Sequence, residues 1–177
     1  MRGILLIGLF LTAQVAVCQK FIVAKSHVSF FSDAAIEDIS AENEKTTGIF
    51  NSTTAEIVFS IPIKEFRFAK SLMQEHFNEK YMESEKYPKA TFQGKLIDYH
   101  SEMNGTQEVK AAGKLTIHGI TKEVELPGVV DTSGKEIMMK SRFFILLEDY
   151  QVTRPQLLWQ NIAEKVEVTV EFTYKPM

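Results

Sequence analysis

The chain has 177 residues, 45% hydrophobic and 24% charged, with a formal net charge of −3. That balance suits a single globular domain, and the lack of a basic cluster argues against nucleic acid as a partner. Cys18 is the lone cysteine, so an intrachain disulfide and a multi-thiolate metal site are excluded.

The first element is set apart by its character. Arg2 gives a positive start, residues 4–11 are an apolar run, and Ala16-Val17-Cys18 places small residues where a cleavage site belongs. This three-part layout predicts a secretory signal peptide over residues 1–18, with the mature domain running from 19 to 177. The apolar run is too short to span a bilayer as a helix, and nothing after it is long and apolar enough. A rival reading keeps Cys18 as the acylated first residue of a lipoprotein. Val17 fits that pattern poorly.

From residue 20 onward the dominant period is two. Strands are predicted at residues 21–31 and 36–50, and Ile57, Phe59, Ile61 and Ile63 form one apolar face of a third. The period then changes. Between residues 65 and 80, Phe66, Ala69, Leu72, Met73, His76 and Phe77 recur at steps of three and four, which predicts one amphipathic helix. It stops before Pro88, which disfavours helical geometry in the residue ahead of it. Strands resume at 90–99, at Val109 to Ile117, at 123–130 and from Ile137 to Leu147. A short helical turn is expected at 157–163. The last strand is the clearest: Val166, Val168, Val170, Phe172 and Tyr174 alternate with charged and polar residues. About eight strands in succession, with one helix between the third and fourth, predict an all-β antiparallel barrel.

An eight-stranded barrel can be packed solid or can hold one small ligand. The chain has thirteen Phe, and several alternate with the small residues Gly94, Ala111 and Gly113. Large rings beside missing side chains leave an elongated void that suits an acyl or prenyl chain; the other reading is a completely filled core, in a packed barrel that acts as an interaction module. Strand parity places Phe59, Ile61, Phe92, Leu96, Leu115, Phe143, Ile145, Leu147, Val170 and Phe172 inward. Phe66, Leu72 and Phe77 join them from the helix, and Trp159 is expected to close one end. A register error of one residue would turn a strand's whole set outward.

Catalytic signals are weak. His27, His76, His100 and His118 lie on separate elements without metal-ligand spacing. No Gly-x-Ser-x-Gly elbow and no phosphate-cradling glycine loop occurs. The enzymatic alternative, a lipid hydrolase or transferase, would use His76 or His118 as its base. No cofactor is expected beyond a bound lipid. The oligomeric state is left open, a homodimer included.

Two stretches carry a resemblance. GKLTIHGITKEVELP, from Gly113 to Pro127, preceded by YPKATF from Tyr87 to Phe92, resembles the pattern of the YceI-like, polyisoprenoid-binding family. Gly48-Ile49-Phe50 and Ser26-His27-Val28-Ser29-Phe30 are similar to further parts of that pattern. The resemblance implies an exported bacterial protein with a lipocalin-like barrel around a polyisoprenoid or quinone-type chain. It also makes His118 part of a structural hairpin, where Gly119 permits the turn. The chain departs from the pattern at residues 70–77, which replace the family's Arg-Asp-x-His-Leu segment. In this respect it looks like a Bacteroidetes-type variant.

Overall fold

The computed structural model describes residues 19–33, 38–152 and 164–177. Alternating side chains carry the backbone through ten strands: β1 (Lys20–Ser32), β2 (Ile39–Asn43), β3 (Thr47–Asn51), β4 (Glu56–Pro62), β5 (Arg67–Phe68), β6 (Lys89–Ile97), β7 (Thr106–Ile117), β8 (Ile120–Asp131), β9 (Ile137–Leu146) and β10 (Lys165–Pro176). All neighbours are antiparallel, and β10 returns to pair with β1. Eight of the strands, β1, β3, β4 and β6 to β10, form this closed ring. The short strands β2 and β5 continue the wall at one end, where β2 takes over from β3 alongside the second half of β1.

The break between β2 and β3 has a polar cause. Asn43 is buried; its side-chain Nδ2 donates to the Pro62 carbonyl at 2.8 Å, and its Oδ1 accepts the Lys45 N–H at 2.8 Å. The Thr46 N–H donates to Ser26 Oγ at 3.1 Å. Side chains thus satisfy backbone groups that a straight strand would have paired in the ladder. A second irregularity lies in β1, where the register with β10 slips between Val23 and Lys25. The extra residue reverses the parity, so Phe21 faces the core before the bulge and Val28 after it.

The helix differs from the sequence expectation in length and place. A 3-10 turn (Ile63–Glu65) and β5 precede α1 (Ser71–His76), and a π-helical turn (Phe77–Tyr81) follows it. The helix therefore lies after β5 rather than between the third and fourth strands, and it does not begin at residue 65. Arg67 and Phe68 pair with Glu42 and Ala41 of β2, and that ladder claims the residues that helical spacing alone had assigned to α1. The helical turn expected at 157–163 lies outside the described residues.

The two ends of the barrel are built differently. At the end holding the start of β1 and the finish of β10, aromatic rings fill the interior. Phe50 packs against Tyr99 and Tyr174, with ring centroids 5.4 and 6.1 Å apart, and Phe172 packs against Tyr174 at 6.0 Å. Buried Gln107 holds the connection into β7 over this end. Its Oε1 accepts the His100 N–H at 2.9 Å, and its Nε2 donates to the carbonyls of His100 and Met103.

Tyr174 is 0% exposed and its hydroxyl has no hydrogen-bond partner among the described residues. Burial pushes its phenol well above the ordinary 10.0. Below pH 10 the phenol is protonated in the folded and unfolded chains alike. Above it the unfolded chain releases a proton that the folded chain keeps, so stability falls by up to ~1.4 kcal/mol per pH unit. Tyr174→Phe removes this contribution, and at neutral pH it gains about 1 kcal/mol by deleting the unpartnered hydroxyl. Urea unfolding from pH 8 to 11 measures both; an unchanged alkaline slope contradicts the assignment.

Candidate functional site

The opposite end of the barrel is hollow. A cavity of about 170 Å³ lies between the second half of β1, the end of β4, the ends of β7 and β9, and the start of β10. The helical insertion closes it from one side. Phe77 is the anchor there: its ring centroid is 5.5 Å from Phe30, 5.6 Å from Phe66 and 5.0 Å from Phe68. The short helix has no side-chain N-cap, so packing of these rings, rather than helix propensity, holds it in place.

Among the described residues the lining contains no formally charged side chain; its polar members are Ser29, Ser32, Tyr81 and Tyr150. Burial pushes both phenols up, and for Tyr150 the Asp149 carboxylate adds to the shift. Both therefore stay neutral through the physiological range. An uncharged, largely apolar hollow offers hydrocarbon a favourable transfer from water and offers an ion nothing to pair with.

Nine of the residues that parity and helical spacing turn inward line this cavity: Phe59, Ile61, Phe66, Phe77, Leu115, Phe143, Ile145, Leu147 and Val170. Phe92, Leu96 and Phe172 lie deeper, around a second cavity of about 50 Å³ that shares Phe59, Phe143 and Val170 with the first. Phe59 separates the two, its ring stacked on Phe92 at 5.3 Å and edge-on to Phe172 at 5.1 Å. Leu72 is a correction: it is 60% exposed and lines neither cavity. Its phase was carried from Phe66, which is not helical; within α1 and the turn after it, Met73 and Phe77 provide the inward side. Trp159 lies outside the described residues.

The expected void beside small residues also needs revising. Ala111 lines the smaller cavity, but Gly94 and Gly113 pair across β6 and β7 and line neither. A Cβ on Gly94 would meet the Ala112 carbonyl oxygen at 2.3 Å, and one on Gly113 the Gln93 carbonyl oxygen at 2.3 Å. Backbone, not empty space, occupies the room their side chains would need. Sequence reasoning missed Phe30, Phe68, Val166 and Val168 as lining residues. The two valines stand on the alternating face of β10, so their signal was present. Phe30 was hidden by the bulge.

Neither His76 nor His118 lines either cavity. Among the described residues no three of His, Cys, Asp and Glu stand where they could hold a metal ion, and no helix is long and apolar enough to cross a membrane.

A sequence model of the YceI-like domain matches residues 20–174. The chain belongs to the YceI-like family. Solved structures share its fold at low identity. A polyisoprenoid binding domain from Saccharophagus degradans, implicated in plant cell wall breakdown, superposes with a TM-score of 0.77 at 16% identity, over 89% of this chain and 98% of that one. BcnA of Burkholderia cenocepacia gives 0.70 at 19% identity, over 84% and 95%. The Campylobacter jejuni YceI protein gives 0.58 at 15% identity, over 100% and 99%. No curated protein shows significant sequence similarity to the chain.

The two stretches that carry the YceI-like pattern meet in space. His118 and Gly119 join β7 to β8 with φ of 50° and 75°, the left-handed pair that a two-residue hairpin requires. The Tyr87 ring lies 4.5 Å from the His118 ring, edge to face. His118 is buried; its Nε2 is 2.9 Å from Glu83 Oε2 and its Nδ1 is 3.2 Å from the Tyr150 carbonyl oxygen. The histidine thus clamps the hairpin to the segment after the helix and to the turn after β9. A Cβ on Gly119 would come within 2.5 Å of the Tyr87 ring. Gly119→Ala therefore combines a left-handed backbone with a clash, and is expected to cost roughly 1–3 kcal/mol. Gly105→Ala is the control, with φ at 109° and nothing within 4 Å of its Cβ. Equal urea midpoints for the two variants would show that Tyr87 does not clamp the turn.

Proposed function

We propose that this protein binds a long apolar lipid chain, of polyisoprenoid or quinone type, inside its barrel, and carries or stores it outside the cytoplasm without chemical turnover. The observation that carries this reading is the division of the barrel into a packed end and a hollow, uncharged end. A barrel needed only as a scaffold gains nothing from an interior void, since unfilled space forfeits packing contacts. Family membership and the fold shared with a polyisoprenoid binding domain support the same ligand class. In this reading the cavity-lining side chains, from Phe59 and Ile61 to Val170, touch the hydrocarbon, each buried CH2 contributing about 0.8 kcal/mol. Residues 1–18 act as a signal peptide cleaved after Cys18, and acylation of Cys18 is the alternative.

Extraction of the purified native protein with organic solvent, followed by mass spectrometry, should release an unmodified long-chain lipid. Intact mass of the exported protein should correspond to a chain beginning at Gln19; a heavier, acylated species beginning at Cys18 would reassign it to the membrane surface. Leu115→Trp separates a hollow from a packed core. In the hollow end the larger ring enters space otherwise taken by ligand, so lipid content falls while stability changes by less than about 1 kcal/mol. In a filled core the same change overpacks and costs about 1–3 kcal/mol. Loss of stability in Leu115→Trp, together with a wild-type protein that releases no lipid, would refute the reading.

A further inference from the structure

The barrel wall is not sealed all the way round. The β8–β9 ladder holds four pairs, Gly128–Ser141, Val129–Lys140, Val130–Met139 and Asp131–Met138. Beyond them β8 runs on to Ile120 and β9 to Leu146 without pairing to each other, although each stays paired to its other neighbour. Pro127 stands where the ladder stops. Ser141 Oγ donates to the Pro127 carbonyl at 2.6 Å, so the polar edge of Pro127 faces β9, and on that edge proline has no N–H to give. Burial follows the same boundary. Val130, Ile137 and Met139 are buried, whereas the inward residues past the fork, Val124 and Leu126 on β8 and Phe143 and Ile145 on β9, are all partly exposed. The far end of the gap is tied by the Lys122–Asp149 ion pair and by His118 against the Tyr150 carbonyl. The result is a slit bounded at both ends, and the smaller cavity is lined by Leu126 and Pro127 on one edge and Ser141 and Phe143 on the other.

Volume gives the slit a use. A cavity of about 150 Å³ accommodates one benzene, so about 170 Å³ here holds roughly one to two isoprene units. Phe50 and Tyr174, each 0% exposed, block the barrel axis at the packed end, and at the other end the packed rings of Phe30, Phe66, Phe68 and Phe77 stand over one side of the hollow. We propose that the slit between β8 and β9 is a lateral portal for the ligand: the barrel encloses one end of a polyisoprenoid chain, and the rest leaves through the wall. This rests on the lipid-binding reading above.

The test staples the slit. Glu125 and Phe144 would be partners if the ladder continued, and both point outward. Glu125→Cys and Phe144→Cys are introduced into the full chain with Cys18→Ser, and joined by a bismaleimide whose spacer contains a reducible disulfide. Geranyl alcohol and nonaprenyl alcohol are the probes, and bound stoichiometry is read by native mass spectrometry. The stapled protein is expected to keep geranyl alcohol and to lose nonaprenyl alcohol by about tenfold or more, with reduction restoring it. Equal uptake of nonaprenyl alcohol by stapled and reduced protein overturns the portal while leaving lipid binding intact. If the unstapled protein takes up neither alcohol, the lipid-binding reading falls and the portal with it.

Discussion

The ladder between β1 and β10 is the constraint on which the rest of the molecule depends. It joins the first strand to the last, from Phe21 against Pro176 to Phe31 against Glu167, and it removes the two edges that a meandering sheet would otherwise expose to other chains. It also spans the greatest sequence separation among the described strand pairings, so closing it costs more loop entropy than closing a hairpin. Everything that gives the barrel an inside is conditional on it: the aromatic stack around Tyr174, the hollow beneath the helix, and the opposed faces of β4 and β10 that bring Phe59 to Phe172.

Given closure, the chain spends its side chains unevenly. Aromatic rings cluster at the start of β1 and the end of β10, where Phe50, Tyr99, Phe172 and Tyr174 interlock. At the other end, valines on β10 together with Phe143 and Ile145 of β9 face a space they do not fill. The helical insertion covers that space with rings of its own, held by Phe77 rather than by capping. A short, uncapped helix contributes little alone; its position is set by the aromatic surface it lands on.

Much of this was legible in the sequence, and the failures have physical causes. The alternation of β10 and the His118-Gly119 turn could be read directly, because one strand face and one hairpin are each decided by neighbouring residues. The inward set on β4, β7 and β9 follows from parity alone. Where a residue's role depends on distant pairing, the reading failed. Phe66 and Ala69 share helical spacing with Met73, yet the edge of β2 captured Arg67 and Phe68, and Leu72 was turned outward as a result. The bulge at Val23–Lys25 hid Phe30 because an extra residue reverses parity without leaving a sequence mark. Gly94 and Gly113 suggested empty space, but carbonyl groups from the neighbouring strands fill it.

The meeting of β1 and β10 also fixes where the chain enters and leaves. The Met177 N–H donates to the Lys20 carbonyl at 3.0 Å, and Ser52 donates to the Gln19 carbonyl at 3.2 Å. Both termini of the described domain therefore sit side by side at the aromatic end, opposite the helix, with the start of the β8–β9 fork about midway between. Whatever is attached ahead of Gln19 or behind Met177, be it an anchor, a tag or a second domain, holds the barrel by its solid base and leaves the hollow end directed away. The same adjacency makes the domain suited to circular permutation, with the old termini joined by a short linker and new ones opened at a surface turn.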